Sequence, residues 1–94
     1  MVKVDWSNLA LKDLEEIEEF ISRDSITYAV QTVEKIQSRV FVLHSFPKAG
    51  RIVPEFDDAT IRELIEGNYR IVYWIKDVRE IIVLRVHHSS RLMG

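Results

Sequence analysis

Arg70, Arg85 and His87 are the residues of this chain best suited to chemistry. A guanidinium is a permanent cation whose planar fork matches the oxygens of a phosphate, and an imidazole gains or loses a proton near neutral pH. All three lie in two strand-like runs, Tyr69-Arg-Ile-Val-Tyr-Trp-Ile75 and Ile81-Ile-Val-Leu-Arg-Val-His-His88. Side chains along a strand alternate faces with a period of two. A turn at Asp77-Val78, or at Lys76 to Arg79, predicts residue 70 opposite 85 and residue 68 opposite 87. Arg70, Arg85 and His87 then share one face.

The elements that must position this trio come from a short chain. Ninety-four residues are expected to form one domain, residues 1–94, with a modest core and no room for a second lobe. There is no cysteine, hence no disulfide, thiolate ligand or cysteine nucleophile, which fits a reducing, cytoplasmic compartment. The first residues lack the apolar stretch of a signal peptide, and no run reaches the roughly 20 apolar residues of a membrane helix. Thirteen Lys and Arg against 15 Asp and Glu give a net charge of −2, so nucleic acid would have to be drawn by a local basic patch.

Val2, Val4 and Trp6 alternate with Lys3 and Asp5 as a first strand. Ser7 or Asn8 can cap a helix in which Ala10, Leu14, Ile17 and Ile21 draw an apolar stripe, leaving Glu15, Glu16, Glu18 and Glu19 as a solvated face. Asp24 or Ser25 caps a second helix, with Ala29, Val33, Ile36, Val40 and Leu43 on its stripe. The short connection predicts a helical hairpin that needs a sheet to cover it. Pro47 to Asp58 reads as an extended loop, Thr60 to Glu66 as a strand, and Gly67-Asn68 as a two-residue hairpin turn that sets residue 65 opposite 70. The expected fold is α+β, ordered β-α-α-β-β-β, with the hairpin packed on a mainly antiparallel four-stranded sheet. Ile71, Tyr73, Ile75, Ile82, Leu84 and Val86 are the expected core face. Val72, Trp74, Ile81 and Val83, with Glu63, Arg70, Arg85 and His87, make up the other face, which is mixed enough to expect a partner.

Gly50-Arg-Ile-Val-Pro-Glu55, Ile61-Arg-Glu-Leu64, Asn68-Tyr-Arg-Ile-Val-Tyr73, Ile82-Val-Leu-Arg-Val-His-His88 and Arg91-Leu92 occur in an order that resembles the RelE/ParE superfamily of bacterial toxins. Trp6 and the pattern Leu9-Ala10, Asp13-Leu14, Ile17 extend the resemblance over nearly the whole chain. It implies the toxin of a type II toxin–antitoxin pair, cytoplasmic, without a cofactor or metal, and restrained by a protein antitoxin. RelE- and YoeB-like members cut messenger RNA on the ribosome, and ParE-like members inhibit DNA gyrase.

RNA cleavage without a metal needs a base for the 2′-hydroxyl, a cationic clamp for the phosphorane and an acid for the leaving oxygen. The resemblance assigns the clamp to Arg70, the acid to His87 and the base to Glu55, with Glu63 a second candidate base beside Arg70 in the strand register. Arg85 would add positive potential, His88 would take an aromatic position, and Arg51 and Lys48 are candidate RNA contacts. A simpler account exists for each: Arg70 pairs with Glu63 across the hairpin, the histidines end a strand, and the loop cations are solvated. On this reading the chain is a ribosome-dependent messenger endoribonuclease. The alternatives are a ParE-like gyrase inhibitor and a member that binds its antitoxin without toxicity. Ile61 and Glu63 stand where the RelE-like ribonucleases carry lysines.

Overall fold

The computed structural model describes residues 1–90; Arg91-Leu92 lie outside the described residues. The elements are β1 (Lys3–Trp6), α1 (Asn8–Ser22), α2 (Ile26–Phe41), a short 3-10 turn (Val42–His44), β2 (Arg51–Ile52), β3 (Ile61–Glu66), β4 (Tyr69–Ile75) and β5 (Glu80–His88). Both helices begin at a serine whose hydroxyl accepts a backbone N–H of the first turn, Ser7 from Ala10 and Ser25 from Tyr28. Their apolar stripes bury Ala10 and Leu14 on α1, and Ala29, Ile36 and Val40 on α2. Ala10, Leu14, Ile36 and Val40 pack with Leu43, Leu64, Ile71 and Tyr73 into the core.

The sheet runs β1-β5-β4-β3-β2, with β1 parallel to β5 and every other pair antiparallel. The α+β class, the element order and the helical hairpin are as expected. The sheet has five strands rather than four, because Arg51 and Ile52 add a short edge strand opposite Glu63 and Arg62. Two residues ahead of Pro54 carry little periodic signal. The strand is held by its surroundings. Tyr73 donates its hydroxyl proton to the Pro47 carbonyl at 2.7 Å and accepts the Gly50 N–H at 2.9 Å. A Cβ on Gly50 would lie 2.4 Å from the Glu63 carbonyl oxygen, so only glycine lets the chain pass this close.

The β3–β4 hairpin has the predicted register, Ile65 opposite Arg70, across a turn in which Gly67 takes a φ of 56°. The β4–β5 hairpin differs from expectation. Ile75 pairs with Ile81, so the turn is the three residues Asp77 to Arg79, with the Asp77 carboxylate accepting the N–H of Arg79 and Glu80. An odd turn length inverts the faces. Ile81 and Val83 are therefore wholly buried in the core, where Ile82 and Leu84 were expected. A β-bulge then takes up one extra residue, Leu84, because Tyr73 pairs with Val83 while Val72 pairs with Arg85. Beyond it Val86 returns to the core and His87 to the opposite face, directly across from Arg70.

Candidate functional site

The sheet face away from the helices carries an ion-pair network that joins Glu63, Arg70, Glu55 and Arg51. Glu63, on β3, stands opposite Arg51 on its one side and Val72 on its other, and Arg70 lies two residues along from Val72. The Glu63 carboxylate accepts Arg70 Nε at 2.5 Å through one oxygen and Arg51 Nε at 2.6 Å through the other. The opposite edge of the Arg70 fork donates to Glu55, Nη1 to Oε2 at 2.8 Å and Nη2 to Oε1 at 2.9 Å. Glu55 is presented by a tight turn after Val53, whose carbonyl accepts the N–H of both Phe56 and Asp57. Asp57 closes that turn with a φ of 48°, a conformation that Asp tolerates better than most residues.

Exposure grades across the network. The Glu63 side chain is 0 % exposed, Arg70 8 %, Glu55 23 % and Arg51 62 %. Buried charges persist only when paired and hydrogen-bonded, and here two guanidinium groups meet two carboxylates. Hydrogen bonds donated to Glu55, then to Glu63, push the Arg70 pKa further above the ordinary arginine range despite the opposing effect of burial. The formal charges of these four side chains sum to zero.

Of the predicted residues, the structure brings together Glu55, Glu63, Arg70 and Arg51, with His87 opposite Arg70 in the ladder. Arg85 takes a different partner. It stands opposite Val72, but its guanidinium is held by Asp13 of α1, Nε to Oδ2 at 2.9 Å and Nη2 to Oδ1 at 3.1 Å. The same carboxylate accepts the Val86 N–H at 2.9 Å, which ties α1 to the edge of β5 beyond the last residue paired with β1. Burial works to raise the Asp13 pKa, yet the bonds from Arg85 and Val86 and the charges of Arg85 and His87 hold it below the ordinary carboxylate value. His88 stacks edge-on against Tyr69, with ring centroids 5.7 Å apart, and contacts Ser90 Oγ at 2.8 Å. Lys48 is exposed in the turn before Gly50, outside the network. No group of acidic, histidine or cysteine side chains among the described residues is arranged to hold a metal ion.

Two features escaped the sequence. Asp13 is separated from Arg85 by 72 positions, and no spacing rule links a helix residue to a strand so distant. A groove of about 650 Å³ between α1 and the end of the sheet is lined by Asp13, Glu16, Ile17, Phe20, Tyr69, Val86 and His88. The exposed Phe20 in the Glu15–Glu19 neighbourhood was the available signal. No helix among the described residues is long and apolar enough to cross a membrane.

Residues 4–93 match the family model described as the ParE toxin of the type II toxin–antitoxin system parDE. Toxin RelE2 of Caulobacter vibrioides is 30 % identical over 93 residues, covering 98 % of this chain and all of that one. Among solved structures, the chromosomal ParDE system of P. aeruginosa superposes with a TM-score of 0.77 at 23 % identity, covering 94 % of this chain and 96 % of the other. The RelBE2 toxin–antitoxin complex of Mycobacterium tuberculosis gives 0.59 at 22 % identity, covering 97 % of both chains. At these identities the two structures speak to the fold.

Proposed function

We propose that this chain, which belongs to the ParE toxin family and is a toxin of the type II toxin–antitoxin class, inhibits its target by binding it, in the DNA gyrase mode of ParE-like members. The observation that carries this reading is the closure of the Arg70 site. A phosphate clamp must offer N–H donors to an incoming oxyanion, but both edges of this guanidinium are engaged by carboxylates in a largely buried position. The formal charges of Arg51, Arg70, Glu55 and Glu63 cancel and the whole chain stands at −2, which is a poor charge balance for the phosphate neutralisation that dominates RNA affinity. Inhibition by protein contacts needs no such potential. A protein antitoxin is the expected restraint, in keeping with relatives solved as toxin–antitoxin systems.

The ribonuclease reading keeps one specific observation in its favour. Glu55 and Arg70 are in contact and His87 stands opposite Arg70 in the ladder, a proximity that supports the base, clamp and acid roles given above. Two assays separate the readings: supercoiling by purified gyrase in the presence of the protein, and messenger 5′-end mapping after its induction in cells. Blocked supercoiling without new 5′ ends is the expected result. Codon-periodic cuts with normal supercoiling would replace the proposal by ribosome-dependent cleavage with Glu55, Arg70 and His87 in the roles above. Neither effect would leave an antitoxin-binding member without toxicity.

A further inference from the structure

The groove between α1 and the end of the sheet is a stretch of core face that the helices leave uncovered. Tyr69 shares its side of β4 with the core residues Ile71 and Tyr73, and His88 shares its side of β5 with Val86. Space remains open above them, walled on the α1 side by Asp13, Glu16, Ile17, Glu19 and Phe20. Phe20 is 69 % exposed at this wall. A large aromatic side chain beside an uncovered piece of core face marks a surface that another chain completes. The rim is acidic. Asp13 is balanced by Arg85, but neither Glu16 nor Glu19 enters an ion pair among the described residues. Arg23, also in the lining, lies over the Phe20 ring, 5.9 Å from its centroid, so two carboxylates face one guanidinium.

We propose that this groove docks the protein antitoxin through a segment in which lysine or arginine flanks an apolar side chain. The apolar side chain packs on Phe20, Tyr69 and Val86 and covers the open end of the core face. The flanking cations meet Glu16 and Glu19. Charge matching of this kind decides which partner binds more than how tightly it binds, so Glu16 and Glu19 set specificity while Phe20 is the anchor. The groove opens on the helix side of the sheet, away from the Arg70 network. The proposal rests on the toxin–antitoxin part of the reading above and not on the identity of the target.

The test is calorimetric titration of the full chain with the protein encoded beside its gene as the probe. Phe20→Asp should weaken binding about thirtyfold or more. Glu16→Lys combined with Glu19→Lys should weaken it about tenfold, by a factor that shrinks as salt is raised. Glu15→Lys combined with Glu18→Lys is the control, because it makes the same change in net charge at exposed positions of the same helix outside the groove. It should alter affinity less than about threefold. Equal losses in the two double variants would overturn selection by Glu16 and Glu19. Unchanged affinity in Phe20→Asp would overturn the groove as the docking site. Growth inhibition lost in Phe20→Asp while the probe still binds would assign the groove to the target and overturn the proposal. A wild-type chain that does not bind the probe would overturn the antitoxin as occupant, whereas supercoiling measured without the probe judges the gyrase reading separately.

Discussion

Arg70 and Arg85 occupy neighbouring rows of the β4–β5 ladder on the same side of the sheet, yet they are held in opposite ways. Arg70 is held from within the sheet layer, by β3 and the turn that follows β2, and its side chain is 8 % exposed. Arg85 is held from the helix layer, by Asp13 of α1, and remains 39 % exposed. Burial makes the difference energetic as well as topological. A paired charge without solvent depends wholly on its partners, whereas a half-exposed one retains water as an alternative. The Arg70 network is therefore the element that the open face cannot lose, and the Arg85 pair is a clip that fixes where α1 crosses the end of β5.

The sharpest way to break this contrast is to remove the inner carboxylate. Glu63→Ala leaves Arg70 buried with one partner fewer and should cost about 3–5 kcal/mol of unfolding free energy in a urea titration. A loss below about 1 kcal/mol, the range of an exposed ion pair, would show that the network does not depend on burial. Asp13→Ala should cost less, about 1.5–3 kcal/mol, because it removes hydrogen bonds to a charged group that water partly replaces. Its effect should fall on α1 docking, read as faster amide exchange at Val86, while the Arg70 network is untouched.

Acid provides a finer comparison. Asp13 has a folded pKa below its unfolded value near 3.9, so its contribution is complete above about pH 4 and is lost as the pH falls through the folded value. Asp13→Asn should accordingly flatten the decline of urea midpoints below about pH 4 and leave their spacing constant above it. The smallest effect is expected at the rim of the buried network. Arg51→Ala removes a side chain that is 62 % exposed but leaves one oxygen of the wholly buried Glu63 without its 2.6 Å partner, and should cost about 1–2 kcal/mol, with water reaching the vacated edge limiting the loss.

Much of this molecule could be read before its coordinates. The helix caps, the apolar stripes and the Gly67-Asn68 turn are local signals; of the caps offered, Ser7 or Asn8 and Asp24 or Ser25, the structure uses the serine in each case. A two-residue turn allows one register, which is why Glu63 could be set beside Arg70 from sequence alone. The second hairpin could not be read in the same way. Its turn has three residues where an even number was expected, and Leu84 adds a bulge, so two one-residue shifts accumulate. They cancel in facing but not in pairing. His87 keeps its side of the sheet while moving from opposite residue 68 to opposite Arg70, and Ile81 and Val83 exchange places with Ile82 and Leu84.

The amino-acid sequence by itself determined the α+β class, the order of elements, the faces of both helices and the presence of Arg70, Glu55 and His87 as groups able to meet. These follow from periodicity, capping and turn chemistry, or from resemblance, and act over a few residues at a time. Only the tertiary structure decided that Glu63 and Glu55 close on opposite edges of one guanidinium, and that Arg85 turns away to Asp13. Such partnerships depend on burial and on register summed across three strands and a helix, and a single residue of slip is enough to exchange one partner for another.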